Sequence, residues 1–224
     1  PREGEWGMVL QEEYFALIAE AGFDSVRIPI RWSAHALPDP PYTIDPAFFR
    51  RVDWAIEQAL GQGLTTVINM HHYDELAQDP TGHRERFLAL WQQIAARYQD
   101  RPAALLFEPL NEPHDALTYR VWNKLLAETV AVIRQTNPER RIIIGPSNWN
   151  SIDALSLLEL PENPHILVTF HYYNPFHFTH QGAEWVAGSE GWLGTTWQGT
   201  ESQKQAVISD LDKAVAWAAL IPEG

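Results

Sequence analysis

The chain has 224 residues, 45% hydrophobic and 20% charged, which suits a soluble domain with a core of its own. A formal charge of −13 argues against a nucleic-acid surface, which needs clustered cations, and no window approaches the ~18 uninterrupted apolar residues of a membrane span. With no cysteine in the chain, disulfides and thiolate metal sites are excluded, so secretion and a cytosolic home both stay open.

Helical and strand patterns alternate from the start. Residues 8–23 (MVLQEEYFALIAEAGF) place Leu10, Tyr14, Leu17 and Ile18 at helical spacing and stop at Gly22. A short, β-branched strand follows (SVRIPIRW). In DPAFFRRVDWAIEQALGQG, Asp45 is the expected N-cap, Pro46 the first helical residue, and Gly61 or Gly63 the stop. TTVINMHH reads as a strand, GHRERFLALWQQIAARYQD as a helix and ALLFEPLN as a strand. Thr118 is placed to cap the helix TYRVWNKLLAETVAVIRQTN. RRIIIGP is a strand, residues 151–158 a short helix and ILVTFHYY a strand. A polar-aromatic loop runs from Asn174 to Thr200, and ESQKQAVISDLDKAVAWAAL is the last helix.

Continuous apolar strands separated by helices predict parallel pairing with both faces covered. No Gly-rich strand-to-helix turn suggests a doubly wound nucleotide fold. A (β/α)8 barrel fits better, because its functional groups sit at the carboxyl ends of strands. Those ends read Arg31-Trp32, His71-His72, Asn111-Glu112, Ser147-Asn148-Trp149 and His171-Tyr172-Tyr173. Each is polar or aromatic.

Two carboxylates share the third strand. Glu108 lies in its apolar run, where a buried charge must be paired; it is expected to be structural. Glu112 stands at the strand end before Pro113, which disfavours helix and cannot extend a ladder. If the strand stays extended, the two are ~13 Å apart, too far for the ~5 to 5.5 Å of a retaining glycosidase pair or the ~6.5 to 9.5 Å of an inverting one. Desolvation at the rim is expected to raise the Glu112 pKa toward that of a general acid.

In this order, VRIPIRW, VINMHHY, FEPLNEPH, IIIGPSNWN and VTFHYYNPFHFTHQGAEW resemble the cellulases of glycoside hydrolase family 5. HHY and FTHQGAEW look like the bacterial endoglucanases that also accept mannan. The resemblance spans the chain, residues 1–224, as a single catalytic-type domain. It implies that Glu112 is the acid/base and that Asn111 contacts the sugar 2-hydroxyl. Arg27 would orient the nucleophile, and His72, His171 and Tyr173 would line the cleavage site. His71, His180 and Trp185 would contact substrate, with Trp32, Trp149 and Trp185 as stacking platforms. The family's first strand is expected ahead of Pro1 and its seventh and eighth after Gly224, so that the chain holds about five of eight βα units. The nucleophilic glutamate is expected on the seventh.

The resemblance implies no cofactor and no metal, a β-glucan or β-mannan substrate, a monomer in complete form, and secretion as the expected localisation. Two other readings compete. One is a non-catalytic carbohydrate-binding fragment. The other is a metal-dependent barrel hydrolase using His71, His72, His171 and His180; against it, adjacent strand residues point to opposite faces, and no His-x-His or His-Glu-x-x-His pattern occurs.

Overall fold

The computed structural model describes residues 3–5, 7–163 and 165–221; the expectations attached to Pro1 and Gly224 fall outside them. Five parallel strands pair in chain order: β1 (Ser25–Ile30), β2 (Thr65–Met70), β3 (Leu105–Glu108), β4 (Ile142–Ile144) and β5 (Ile166–Val168). A doubly wound sheet reverses its strand order at a switch point. This one does not, and forms an incomplete run of a (β/α)8 barrel. Register places Asn69 beside Pro29 and Glu108, and Arg27 beside Val67, so Asn69 and Glu108 share one level of neighbouring strands and Arg27 reaches Glu108 from two residues below it on β1.

The connecting helices are α1 (Glu12–Glu20), α2 (Pro46–Gly61), α3 (Asp74–Gln78), α4 (Pro80–Arg97) and α5 (Tyr119–Arg134). Asp45 caps α2 as expected, accepting from the Ala47 N–H at 2.7 Å, and Gly63 takes φ +76° just beyond its end. The same Asp-Pro device starts α4 two residues earlier than the sequence suggests, with Asp79 accepting from Gly82 N–H. Thr118 occupies the cap position of α5 but its side chain accepts no capping bond. The segment 151–158 is a 3-10 turn at Ile152–Leu157, and the long loop holds two single turns, Phe176–Thr179 and Ser189–Trp192. The last helix, Glu201–Ala218, is fixed by a capping box of Thr200 and Gln203. No helix among the described residues is long and apolar enough to cross a membrane.

Three buried tryptophans hold the upper ends of the strands in place. The indole N–H of Trp32 donates to the Asn69 carbonyl, that of Trp91 to Pro109 and that of Trp122 to Gly145, at 3.0, 3.0 and 2.9 Å. Each ring fills the core with its apolar body and satisfies a carbonyl at or just past a strand end. Core packing and loop placement are therefore done by the same side chains.

Candidate active site

β3 is buried at all four positions, Glu108 included at 2% exposure. Its carboxylate is gripped by the Arg27 guanidinium from β1, with Nε donating to Oε2 at 2.6 Å and an Nη to Oε1 at 2.7 Å. Burial alone would favour the neutral arginine, but the Glu108 carboxylate outweighs it and holds the guanidinium pKa above its usual value. The structural reading of Glu108 stands on this bidentate pair. Arg27 also donates to Asn111 Oδ1 at 2.8 Å, tying the buried pair to the rim.

The chain does not stay extended from Glu108 to Glu112. Asn111 N–H makes a ladder-like bond to the Met70 carbonyl, and Glu112 then adopts φ +48°. The extended-strand separation of the two glutamates is therefore corrected: β3 ends at Glu108, and the backbone turns before the rim. Non-glycine residues reach this left-handed region only where surroundings over-determine it. Here His114 Nδ1 lies 2.6 Å from the Glu112 carbonyl. A carbonyl can only accept, so Nδ1 carries the proton. Across the cleft, Trp149 N–H donates to the Pro113 carbonyl and its indole stacks on His114 at 5.3 Å and 14°. Asn148, Trp149 and Asn150 are themselves left-handed, a turn that puts Trp149 at 51% exposure while burying Asn150. Gly145 is required beneath it, because a Cβ there would meet the Asn150 amide at 2.4 Å.

The Glu112 carboxylate lies 2.5 Å from His171 Nδ1, and Asn150 Nδ2 is 3.4 Å from the other ring nitrogen. His171 meets Tyr173 edge-on at 6.4 Å, and Tyr173 meets His180 at 5.0 Å. The expected upward pKa shift of Glu112 is corrected. Burial does raise it, but the His171 hydrogen bond and the positive charges of His171, His71 and Arg27 bring it below the ordinary carboxylate value. None of these influences is a carboxylate.

His71 and His72 follow β2, past the last residue of its pleat, so alternation no longer separates them and their rings meet edge-on at 4.6 Å. Burial, reinforced by His72 and Arg27, pushes His71 down to about 4; burial also lowers His72. Among the described residues no three His, Cys, Asp or Glu side chains converge as a metal site would require.

Trp32 is the clear correction among the platforms. It is 0% exposed, packed against Phe48 and Phe49, because the chain turns into a 3-10 helix at Trp32–His35 and swings the indole inward. Trp185, at 80% exposure, and Trp149 present faces to solvent. His180 packs on Phe176 at 4.0 Å beside Tyr173. Sequence reasoning passed over Asn69, His114 as a backbone clamp, and Asn150. The signal for Asn69 was available: an amide in the middle of an otherwise apolar strand must find partners.

The family model described as Cellulase (glycosyl hydrolase family 5) matches residues 2–219. Endoglucanase H of Acetivibrio thermocellus is 38% identical over 218 residues, 97% of this chain but 23% of that protein. Endoglucanase Cel5A of Thermotoga maritima superposes with a TM-score of 0.95 at 53% identity, covering 98% of this chain and 71% of that one. Its complexes with mannotriose and with cellobiose superpose at 0.96, with the same identity and coverage. The chain thus spans about a quarter of the curated relative's length. The chain belongs to glycoside hydrolase family 5.

Proposed function

We propose that the protein hydrolyses β-1,4-glycosidic bonds of glucan, and of mannan, by a retaining mechanism in which Glu112 is the acid/base. The observation that carries this reading is the Glu112 carboxylate. It is held just beyond β3 by a left-handed backbone and a 2.5 Å contact to His171, within electrostatic reach of His71 and Arg27 from two neighbouring strands. Such over-determination is what positioning a proton within reach of one glycosidic oxygen demands. In the first step Glu112 gives its proton to the leaving oxygen while a second carboxylate attacks the anomeric carbon; in the second, Glu112 takes a proton from the water that frees the enzyme.

Arg27 holds Asn111 Oδ1, which turns Nδ2 outward as a donor for the 2-hydroxyl of the sugar. Mannose differs from glucose at that carbon, and the cellobiose and mannotriose complexes of the Thermotoga relative support a site that takes both. Trp149 and Trp185 offer exposed faces for sugar stacking, and His71, His72, His180 and Tyr173 are the further side chains this reading assigns to the substrate. An insoluble polymer cannot cross a membrane, so the protein acts outside the cell.

The test is Glu112→Gln in the full-length protein, assayed on soluble cellulose derivatives and on a chromogenic cellobioside. Loss of a general acid lowers kcat/KM by about 10²- to 10⁴-fold, with the melting temperature unchanged. Activity within about a factor of two of the parent overturns the assignment, because no general acid of that strength was then lost. Retained binding of cello-oligosaccharides by a parent that shows no hydrolysis would instead favour a carbohydrate-binding role.

A further inference from the structure

Asn69 sits near the end of β2, fully buried, two residues before His71. Its Oδ1 accepts from the Ile30 backbone N–H at 3.3 Å. Pro29, its partner in register, has no N–H to offer, so Ile30 supplies the backbone donor. A backbone N–H can only donate. The atom facing it must therefore be the amide oxygen, and the opposite end of the amide is Nδ2. That Nδ2 lies 3.2 Å from His71 Nδ1. An amide N–H also can only donate, so His71 Nδ1 must supply a lone pair. Burial together with His72 and Arg27 keeps the ring neutral down to about pH 4. A neutral imidazole with a bare Nδ1 carries its proton on Nε2.

We propose that Asn69 is a positioning residue: it fixes the tautomer of His71, so that His71 presents Nε2–H as a donor to a sugar hydroxyl oxygen. The chain of constraint runs from a backbone N–H through a buried amide and an imidazole to the substrate, with a single proton arrangement at every link. Asn69 thereby influences recognition without touching the sugar. A His71 of the other tautomer would turn a lone pair toward the cleft and would read a hydroxyl hydrogen instead. The kinetic half of this inference rests on the glycosidase reading; the tautomer itself does not.

The experiment uses full-length protein labelled with 15N-histidine, with long-range 1H–15N correlation spectra and His71 assigned from the signal lost in His71→Gln. The expected spectrum shows a bare Nδ1 and a protonated Nε2, unchanged between about pH 5.5 and about 8, the range in which an ordinary histidine would titrate. Asn69→Asp keeps the shape and the acceptor for Ile30, but turns a carboxylate oxygen toward Nδ1. The proton should move to Nδ1, the two nitrogen signals should exchange character, and kcat/KM on a cellobioside should fall by up to about 10-fold, the loss of one neutral hydrogen bond to the substrate. A protonated Nδ1 in the parent overturns the proposal, whether or not the variant folds. So does a folded Asn69→Asp protein whose His71 tautomer is unaltered, or one whose tautomer switches with no loss of kcat/KM. If the parent hydrolyses no glycan, the proposed function fails while the nitrogen signals still decide the tautomer.

Discussion

Replacing Arg27 by Met removes both donors from a carboxylate buried to 2% exposure. Among the described residues Glu108 takes its side-chain hydrogen bonds from Arg27 alone, at 2.6 and 2.7 Å. Breaking a buried pair from one side costs ~3–5 kcal/mol, because the remaining charge is left uncompensated. The Arg27 side chain is itself 34% exposed and part of its charge is already screened, so the lower end, about 3 kcal/mol, is expected. For a chain of this size each kcal/mol moves the melting temperature by ~2–4 °C, giving a drop of about 6–12 °C. Scanning calorimetry at neutral pH measures it directly. Combining Arg27→Met with Glu108→Leu should recover most of the loss, since an apolar pair of similar volume has no desolvation to offset. If Arg27→Met melts within about 1 °C of the parent, well inside the shift that one kcal/mol produces, Glu108 is not relying on Arg27. The Arg27–Glu108 pair then does not organise the inner face.

The two tryptophan environments predict opposite outcomes. Trp32→Ala should cost ~3–5 kcal/mol of stability because it empties a core site. Trp149→Ala should leave the melting temperature nearly unchanged and raise KM for longer cello-oligosaccharides by a few-fold, consistent with ~0.5–1.5 kcal/mol of ring stacking; an unchanged KM removes Trp149 from the substrate path. In His171→Phe the strongest group lowering the Glu112 pKa is gone, so Glu112 titrates at higher pH. The alkaline limb of kcat/KM, which reports loss of the acid's proton, then moves upward; a downward shift contradicts the assignment of that limb to Glu112.

The parallel strands and the polar character of their upper ends were legible in the sequence because both follow from local pattern: apolar runs such as LLF at Leu105–Phe107 and III at Ile142–Ile144, and clusters such as His71-His72 placed just after a strand. Pairing of Glu108 was legible from the cost of a buried charge. What periodicity could not supply was the path of the chain beyond a strand end. Trp32 lies two residues after β1, and whether it faces cleft or core depends on a 3-10 turn stabilised by a distant carbonyl at Asn69. Glu112 likewise leaves the extended region beside a local His114 contact and the left-handed turn at Trp149, whose bond to the Pro113 carbonyl forms only once β3 and β4 pair. The Glu112 pKa failed for a related reason. Burial was foreseeable, whereas a histidine 59 residues away at hydrogen-bond distance was not.

That electrostatic setting bears on how an acid/base can work here. A carboxylate depressed by His171, His71 and Arg27 is well disposed to accept a proton late in a reaction and poorly disposed to hold one at its start. His71 contributes little to the depression at working pH, because its own pKa of about 4 leaves it neutral. The persistent effects are the His171 bond and the Arg27 charge, and Arg27 is largely neutralised by Glu108. A second carboxylate ~5 to 5.5 Å away, the spacing a retaining mechanism uses, repels the Glu112 charge and raises its pKa, as in other close carboxylate pairs. Under the retaining mechanism proposed above, esterification of that carboxylate to the sugar would remove its charge and return Glu112 to the depressed state suited to a base. Proton donor and proton acceptor would then be one side chain in two electrostatic settings, with the switch supplied by the covalent chemistry itself. The left-handed backbone at Glu112 and the His114 contact to its carbonyl would hold its position constant through both steps of the proposed mechanism.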